Sequence, residues 1–215
     1  MEETLGIPHA TVFANMLDGA AYLWPKTKAA MNYTYIQYRD DFDWFFKADD
    51  DTFVIVENLR ALLARFDATK PHYLGFRMKP YATHGYNSGG AGYALSRPAL
   101  KLLVEQLLPN ETLCPNGASE DLQLALCLEK AGILPGDTRD QLGRHTFFPY
   151  RPQEHFHGKI PYDGDPKFWY YYVMKTGFEA FSENLITLHH LKPDEIRVIE
   201  LLVYHLRLPQ HQAQA

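Results

Sequence analysis

Three consecutive acids, Asp49, Asp50 and Asp51, follow closely on a short apolar run, Trp44-Phe45-Phe46. The bulky aromatic run reads as a buried strand, and the carboxylates fall where that strand ends. Like charges this close repel, and one is driven towards protonation unless a cation neutralises the group. A hard divalent metal held by carboxylate oxygens is the natural compensation. A metal at a strand end, with open coordination positions, can grip a diphosphate, which points to chemistry on a nucleotide-activated substrate. The same acids also fit a solvated turn, or a cap in which Asp51-Thr52 opens a helix over residues 54–65. An EF-hand loop does not fit, because no glycine and distal glutamate fall at the required spacing.

Other residues add to this choice without closing it. Glu120-Asp121 opens a helix, where negative charge suits the helix N-terminus. A carboxylate near a metal-bound diphosphate could instead act as a general base towards an attacking hydroxyl. His189-His190 follows the apolar run Leu185-Ile186-Thr187-Leu188, and a strand-end histidine is either a third metal ligand or a polar surface or core group. Gly89-Gly90-Ala91-Gly92 lacks both the GxGxxG spacing and the Lys-Ser/Thr of a P-loop. It reads as a bulge or tight turn, or as a place where backbone must pass very close to something. Cys114 and Cys127 do not have zinc-site spacing, and read as one disulfide closing a short loop or as two buried thiols. Two sequons, Asn32-Tyr33-Thr34 and Asn110-Glu111-Thr112, give weak support to a secretory setting.

Bulk properties narrow the class. A chain of 215 residues, 46% hydrophobic and 22% charged, can build one domain with a sizeable core, expected over residues 1–210 with a frayed tail at 211–215. A net charge of -5 argues against a nucleic-acid partner. No apolar run approaches the roughly 20 residues of a membrane span, and no signal-peptide pattern opens the chain. Strands are expected over 10–14, 44–46, 72–77 and 185–190. Helices are expected over 23–39, 54–65, 98–107, 118–130 and 193–206, with an irregular stretch over 147–175. This rough alternation indicates an α/β sandwich.

Six segments, in order, resemble one family. They are DWFFKADDDTFVIVENLR (43–60), KPY (79–81), GYNSGGAGYALS (85–96), SEDLQL (119–124), GDTRDQLGRHTF (136–147) and LVYHLR (202–207). The series resembles the animal core 1 β1,3-galactosyltransferases, inverting enzymes with a DxD motif. The resemblance implies a GT-A (Rossmann-like) α/β fold, here without its N-terminal strand or strands. It implies galactose transfer from UDP-galactose to N-acetylgalactosamine on Ser or Thr of a glycoprotein, with Mn²⁺ as cofactor. By matching position, Asp49, Asp51 and His189 would hold the metal. Asp49, Asp50, Lys26, Gly19, His189 and His190 would lie along the nucleotide sugar. Asp121 would be the base, with Glu120 beside it, while Trp169, Tyr170 and Tyr86 would face the acceptor. The block Phe168-Trp169-Tyr170-Tyr171-Tyr172 either forms a sugar and peptide platform or packs into the core, and the resemblance pairs Cys114 with Cys127.

The resemblance also implies a type II Golgi membrane protein, although the anchor and stem of the family are not part of this chain, and it allows a homodimer. The chain departs from the pattern at residues 178–182, which lack the family's cysteine pair, and at Ala20, where an arginine is usual. Another β1,3-glycosyltransferase of the same family, a chaperone-like non-catalytic relative, and a generic metal- or carbohydrate-binding module are the competing readings. Retention of the acids favours an enzyme over the chaperone-like relatives, which are degenerate there. A sheet without its first strand is expected to expose an edge and to be poorly soluble.

Overall fold

The computed structural model describes residues 12–13, 15–117, 119–160 and 165–207. Of the strand expected over 10–14, residues 10, 11 and 14 lie outside the described residues, and Val12 and Phe13 form a turn. The expected tail at 211–215 also lies outside them.

A short 3₁₀ turn (Ala20–Tyr22) leads into α1 (Leu23–Tyr38). Its buried residues, Trp24, Thr27, Met31 and Tyr35, recur at helical spacing and make one inward stripe. The central sheet has the order β1-β6-β3-β7, from β1 (Trp44–Lys47), β6 (Tyr93–Ser96), β3 (Tyr73–Gly75) and β7 (Pro135–Gly136). β6 lies antiparallel between β1 and β3, and β7 adds parallel to β3. A second sheet places β9 (Thr187–Leu188) between β2 (Phe53–Val54) and β8 (Phe147–Phe148). A small hairpin joins β4 (Arg77–Met78) to β5 (Tyr86–Asn87).

The remaining helices are α2 (Val56–Leu63), α3 (Arg97–Leu102), α4 (Glu120–Lys130), α5 (Pro152–His157), α6 (Pro166–Trp169) and α7 (Pro193–Glu200). α3 and α7 run on as π-helical turns, Leu103–Leu107 and Leu201–His205. Tyr73, Tyr93, Phe76, Leu95, Leu100 and Leu124 are almost wholly enclosed in the core. α1 packs on α3 and α4, and the Cys114–Cys127 disulfide, with its Cα atoms 4.7 Å apart, ties the loop before α4 to that helix. Among the described residues no helix is long and apolar enough to cross a membrane.

Several element expectations need correction. The helix expected from residue 54 begins at Val56, because Phe53 and Val54 are taken by pairing with β9. Thr52 does not cap it; its hydroxyl donates to the Gly90 carbonyl at 2.7 Å. The strand expected over 72–77 divides at Phe76, after which Arg77 pairs with Asn87 of the hairpin. The stretch over 147–175 is less irregular than its composition suggests, holding β8, α5 and α6. Ser119 occupies the N-cap of α4 without a side-chain cap bond. The outer edge of β1 is unpaired among the described residues.

Candidate active site

β1 runs out at Lys47 and the chain turns through the acids, closed by a Thr52 N–H to Asp49 carbonyl bond of 3.2 Å. β2 then pairs with β9, Phe53 opposite Leu188 and Val54 opposite Thr187. That ladder, with the Leu191 N–H donating to the Asp51 carbonyl at 3.1 Å, carries His189 to the acids. His189 Nε2 lies 3.1 Å from Asp51 Oδ1 and 3.8 Å from Asp49 Oδ2. Its Nδ1 is 2.8 Å from the Pro149 carbonyl oxygen. Only an N–H can donate to a carbonyl, so Nδ1 carries a proton, and Nε2 is the ring nitrogen turned towards the carboxylates.

Such a donor set, an imidazole nitrogen facing carboxylate oxygens, suits a divalent metal. His190 joins the group: one ligand atom each from Asp51, His189 and His190 lie within 4.8 Å of one another. His190 has a φ of 60°, a left-handed conformation that costs a non-glycine residue energy. The Arg151 Nε–H holds its carbonyl at 2.7 Å. Burial, then the neighbouring His189, keeps the His190 imidazole below its ordinary pKa. Asp50 is exposed and adds no atom to this group.

The glycine run explains itself at this point. A Cβ on Gly90 would meet the His189 ring at 2.0 Å, and one on Gly89 would meet Glu120 Oε2 at 2.5 Å. Gly92 has a φ of 78°, and its N–H closes a turn onto the Gly89 carbonyl at 3.1 Å. The run is therefore a tight turn, and its glycines are required by what the backbone passes. Thr52 and Thr187 hydroxyls pin it by donating to the Gly90 and Ala91 carbonyls, each at 2.7 Å.

Glu120 and Asp121 face inwards. Glu120 is 7% exposed and accepts the Tyr93 hydroxyl. Burial raises its pKa against the pull of Lys47 and Tyr93. Asp121 accepts the Gly89 N–H on Oδ2 at 3.1 Å and the Leu122 N–H on Oδ1 at 2.8 Å. Burial raises its pKa too, opposed by those backbone bonds. Both carboxylates line a cavity of about 570 Å³ with Asp49, Lys47, Gly89 and Lys26. Lys26 sits on α1, paired with Asp18, and Gly19 is exposed with a φ of 111° at the start of the 3₁₀ turn that leads into that helix.

Lys47 is the site residue the sequence reading missed. Its ammonium bonds Asp49, reaches the Gly89 carbonyl at 3.1 Å and lies 3.8 Å from Glu120 Oε2. Burial opposes its charge, but Glu120 and Asp49 outweigh that and hold its pKa above the ordinary lysine value. The available signal was a cation closing an otherwise aromatic strand, two residues before the acids.

The residues expected at the acceptor are divided. Tyr86 is buried in β5, and its pKa is raised by burial and then by the charge of Asp121. Tyr170 is buried with its ring edge-on to Phe76, centroids 5.0 Å apart, and lines a separate cavity of about 520 Å³. Trp169 is half-buried beside Phe168.

An α/β fold that sets strand-end acids beside a histidine, with Asp49, Glu120 and Asp121 around an adjoining cavity, suits metal-assisted group transfer. The chain belongs to the Fringe-like family, whose model matches residues 21–135, more than half of its length. It is 38% identical over 200 residues to glycoprotein-N-acetylgalactosamine 3-beta-galactosyltransferase 1 of Xenopus laevis, covering 91% of this chain and 54% of that protein. The beta-1,3-glucosyltransferase of Mus musculus is 34% identical over 94 residues, 42% of this chain and 18% of its own. Chondroitin sulfate synthase 2 of Mus musculus is 35% identical over 150 residues, 65% of this chain and 18% of its own. The chain thus spans about half the length of the galactosyltransferase and a smaller share of the other two.

Proposed function

We propose that this chain carries the catalytic machinery of a core 1 β1,3-galactosyltransferase on a GT-A fold. It transfers galactose from UDP-galactose to O3 of N-acetylgalactosamine on Ser or Thr of a glycoprotein, with inversion. The observation that carries the reading is the approach of His189 Nε2 to Asp51 at 3.1 Å, with the proton drawn to Nδ1 by Pro149. The same reading makes it a type II protein of the Golgi membrane and allows a homodimer.

Asp49, Asp51 and His189 would hold Mn²⁺, with His190 beside them. A cation bound there supplies Lewis-acid stabilisation of the negative charge that develops on departing UDP. Asp121 accepts the proton from the O3 hydroxyl as that oxygen attacks the anomeric carbon. Its raised pKa improves it as a base near neutral pH. The C–O bond to UDP breaks in the same displacement, so no protein nucleophile is needed. Lys47 keeps Glu120 and Asp49 in place, and Lys26 turns from Asp18 to the phosphates.

The test is galactose transfer to an N-acetylgalactosaminyl-threonine peptide, with Mn²⁺, with EDTA, and with Asp51→Ala. Metal-dependent product lost in the variant supports the reading. A folded chain that makes no product contradicts it and favours a non-catalytic relative. The 34% identity to a beta-1,3-glucosyltransferase gives a second donor a specific claim. UDP-glucose is therefore run in parallel, and faster transfer from it would reassign the donor.

A further inference from the structure

We infer that Asn110 is an N-glycosylation site, and that it is occupied in preference to the chain's other sequon at Asn32. Asn110, Glu111 and Thr112 are all exposed, in the turn that follows the π-helical end of α3. The Asn110 side chain folds back on its own sequon. Its Oδ1 accepts the Thr112 N–H at 3.0 Å and the Leu113 N–H at 3.3 Å. This Asx turn engages the carboxamide oxygen, leaves Nδ2 for reaction, and sets the asparagine and threonine close together.

Asn32 is different. It lies within α1, where residues two apart point about 200° away from each other. A transferase that must engage both the carboxamide and the hydroxyl meets them on opposite sides of that helix.

A second feature concerns the compartment. Cys114, two residues beyond the Asn110 sequon, is disulfide-bonded to Cys127. Persistent disulfides form where thiols are oxidised, which in a eukaryotic cell is also where sequons are modified. The donor is a lipid-diphosphate-linked oligosaccharide. A bond forms between Nδ2 and its anomeric carbon, the lipid diphosphate leaves with the electrons of the broken C–O bond, and Nδ2 loses one proton. None of the three sequon residues lines the cavity at the acids, so the glycan sits clear of the proposed reaction.

The test expresses the full chain behind a cleavable secretion leader in eukaryotic cells. Lysate and medium are both assayed, so retention of a poorly folding chain does not hide the modification. Amidase treatment removes any glycan and marks its asparagine by deamidation, read by mass spectrometry of the peptides spanning Asn32 and Asn110. Occupancy at Asn110 above that at Asn32, abolished by Asn110→Gln and by Thr112→Ala but kept by Thr112→Ser, is expected. Occupancy at Asn110 equal to or below that at Asn32, or absent, overturns the proposal.

Discussion

Pro149 decides which nitrogen of His189 meets the acids, and Gly90 decides how near that ring can stand. A methyl at Gly90 would meet the ring at 2.0 Å, and a ring held by a backbone carbonyl has little room to retreat. Gly90→Ala should lose stability by about 1–3 kcal/mol and lose metal affinity with it. Denaturant unfolding and Mn²⁺ titration check the two losses separately. Lys47 bonds Oδ1 of Asp49, the carboxylate whose Oδ2 faces His189, so its charge would oppose a cation bound at the proposed site. In Lys47→Met the competing charge is gone, so Mn²⁺ should bind more tightly while transfer falls on the order of 100-fold. Calorimetric titration alongside kinetics separates this outcome from simple misfolding, which would weaken both. Much of the site was legible from residue identity, because clustered acids and a strand-end histidine announce their own electrostatic problem. Lys47 was hidden because a lysine beside acids usually looks like solvent-facing charge, and only burial shows that it is not.

At the scale of elements, the Cys114–Cys127 link spans 13 residues of chain. Closing a loop of that order contributes about 3 kcal/mol through the unfolded state. The Cys114→Ser, Cys127→Ser pair should lose about that much in a denaturant titration. α5 carries a second dependence. His155 is buried, with Nε2 accepting the Tyr150 N–H at 3.1 Å, and burial lowers its pKa to about 3. Burial likewise takes His145 to about 4. Both histidines are neutral in the fold, while the unfolded chain takes up protons near pH 6.5.

Stability contributed by these two groups is therefore present above pH 6.5 and is lost as pH falls through that range towards 4. The raised carboxyls Glu120 and Asp121 oppose this, adding stability as pH falls. His155→Gln retains an acceptor for Tyr150 but cannot titrate, so its melting temperature should fall less steeply over the same window. The longer helices were legible because their apolar spacing extends over several turns. β2, β8 and β9 have two residues each. Two residues cannot display a period, and their pairing is set by distant partners rather than local pattern.

For the molecule as a whole, β1 is paired on one side only among the described residues. At the other end of the chain, Val198, Leu201, Leu202 and Tyr204 each remain more than 40% exposed on the last helix and its π-helical extension. An open strand edge and several exposed apolar side chains on one terminal helix both favour association. The isolated chain should therefore sediment with a mass that grows with concentration in the low micromolar range upwards; a monomer at every concentration would contradict this. The general architecture was legible as alternating strands and helices. The approach of His189 to the acids depends on the β2–β9 ladder, which no local pattern signals, and it was legible only through the family resemblance.

That ladder also sets an order of events during synthesis. The acids leave the ribosome well before His189, the histidine that completes their group, which lies far downstream in the sequence. A nascent chain passing through the cell therefore holds clustered carboxylates without the imidazole that would make them a selective metal site. Binding of the proposed metal would wait until β2 and β9 have paired, in whatever compartment that pairing takes place.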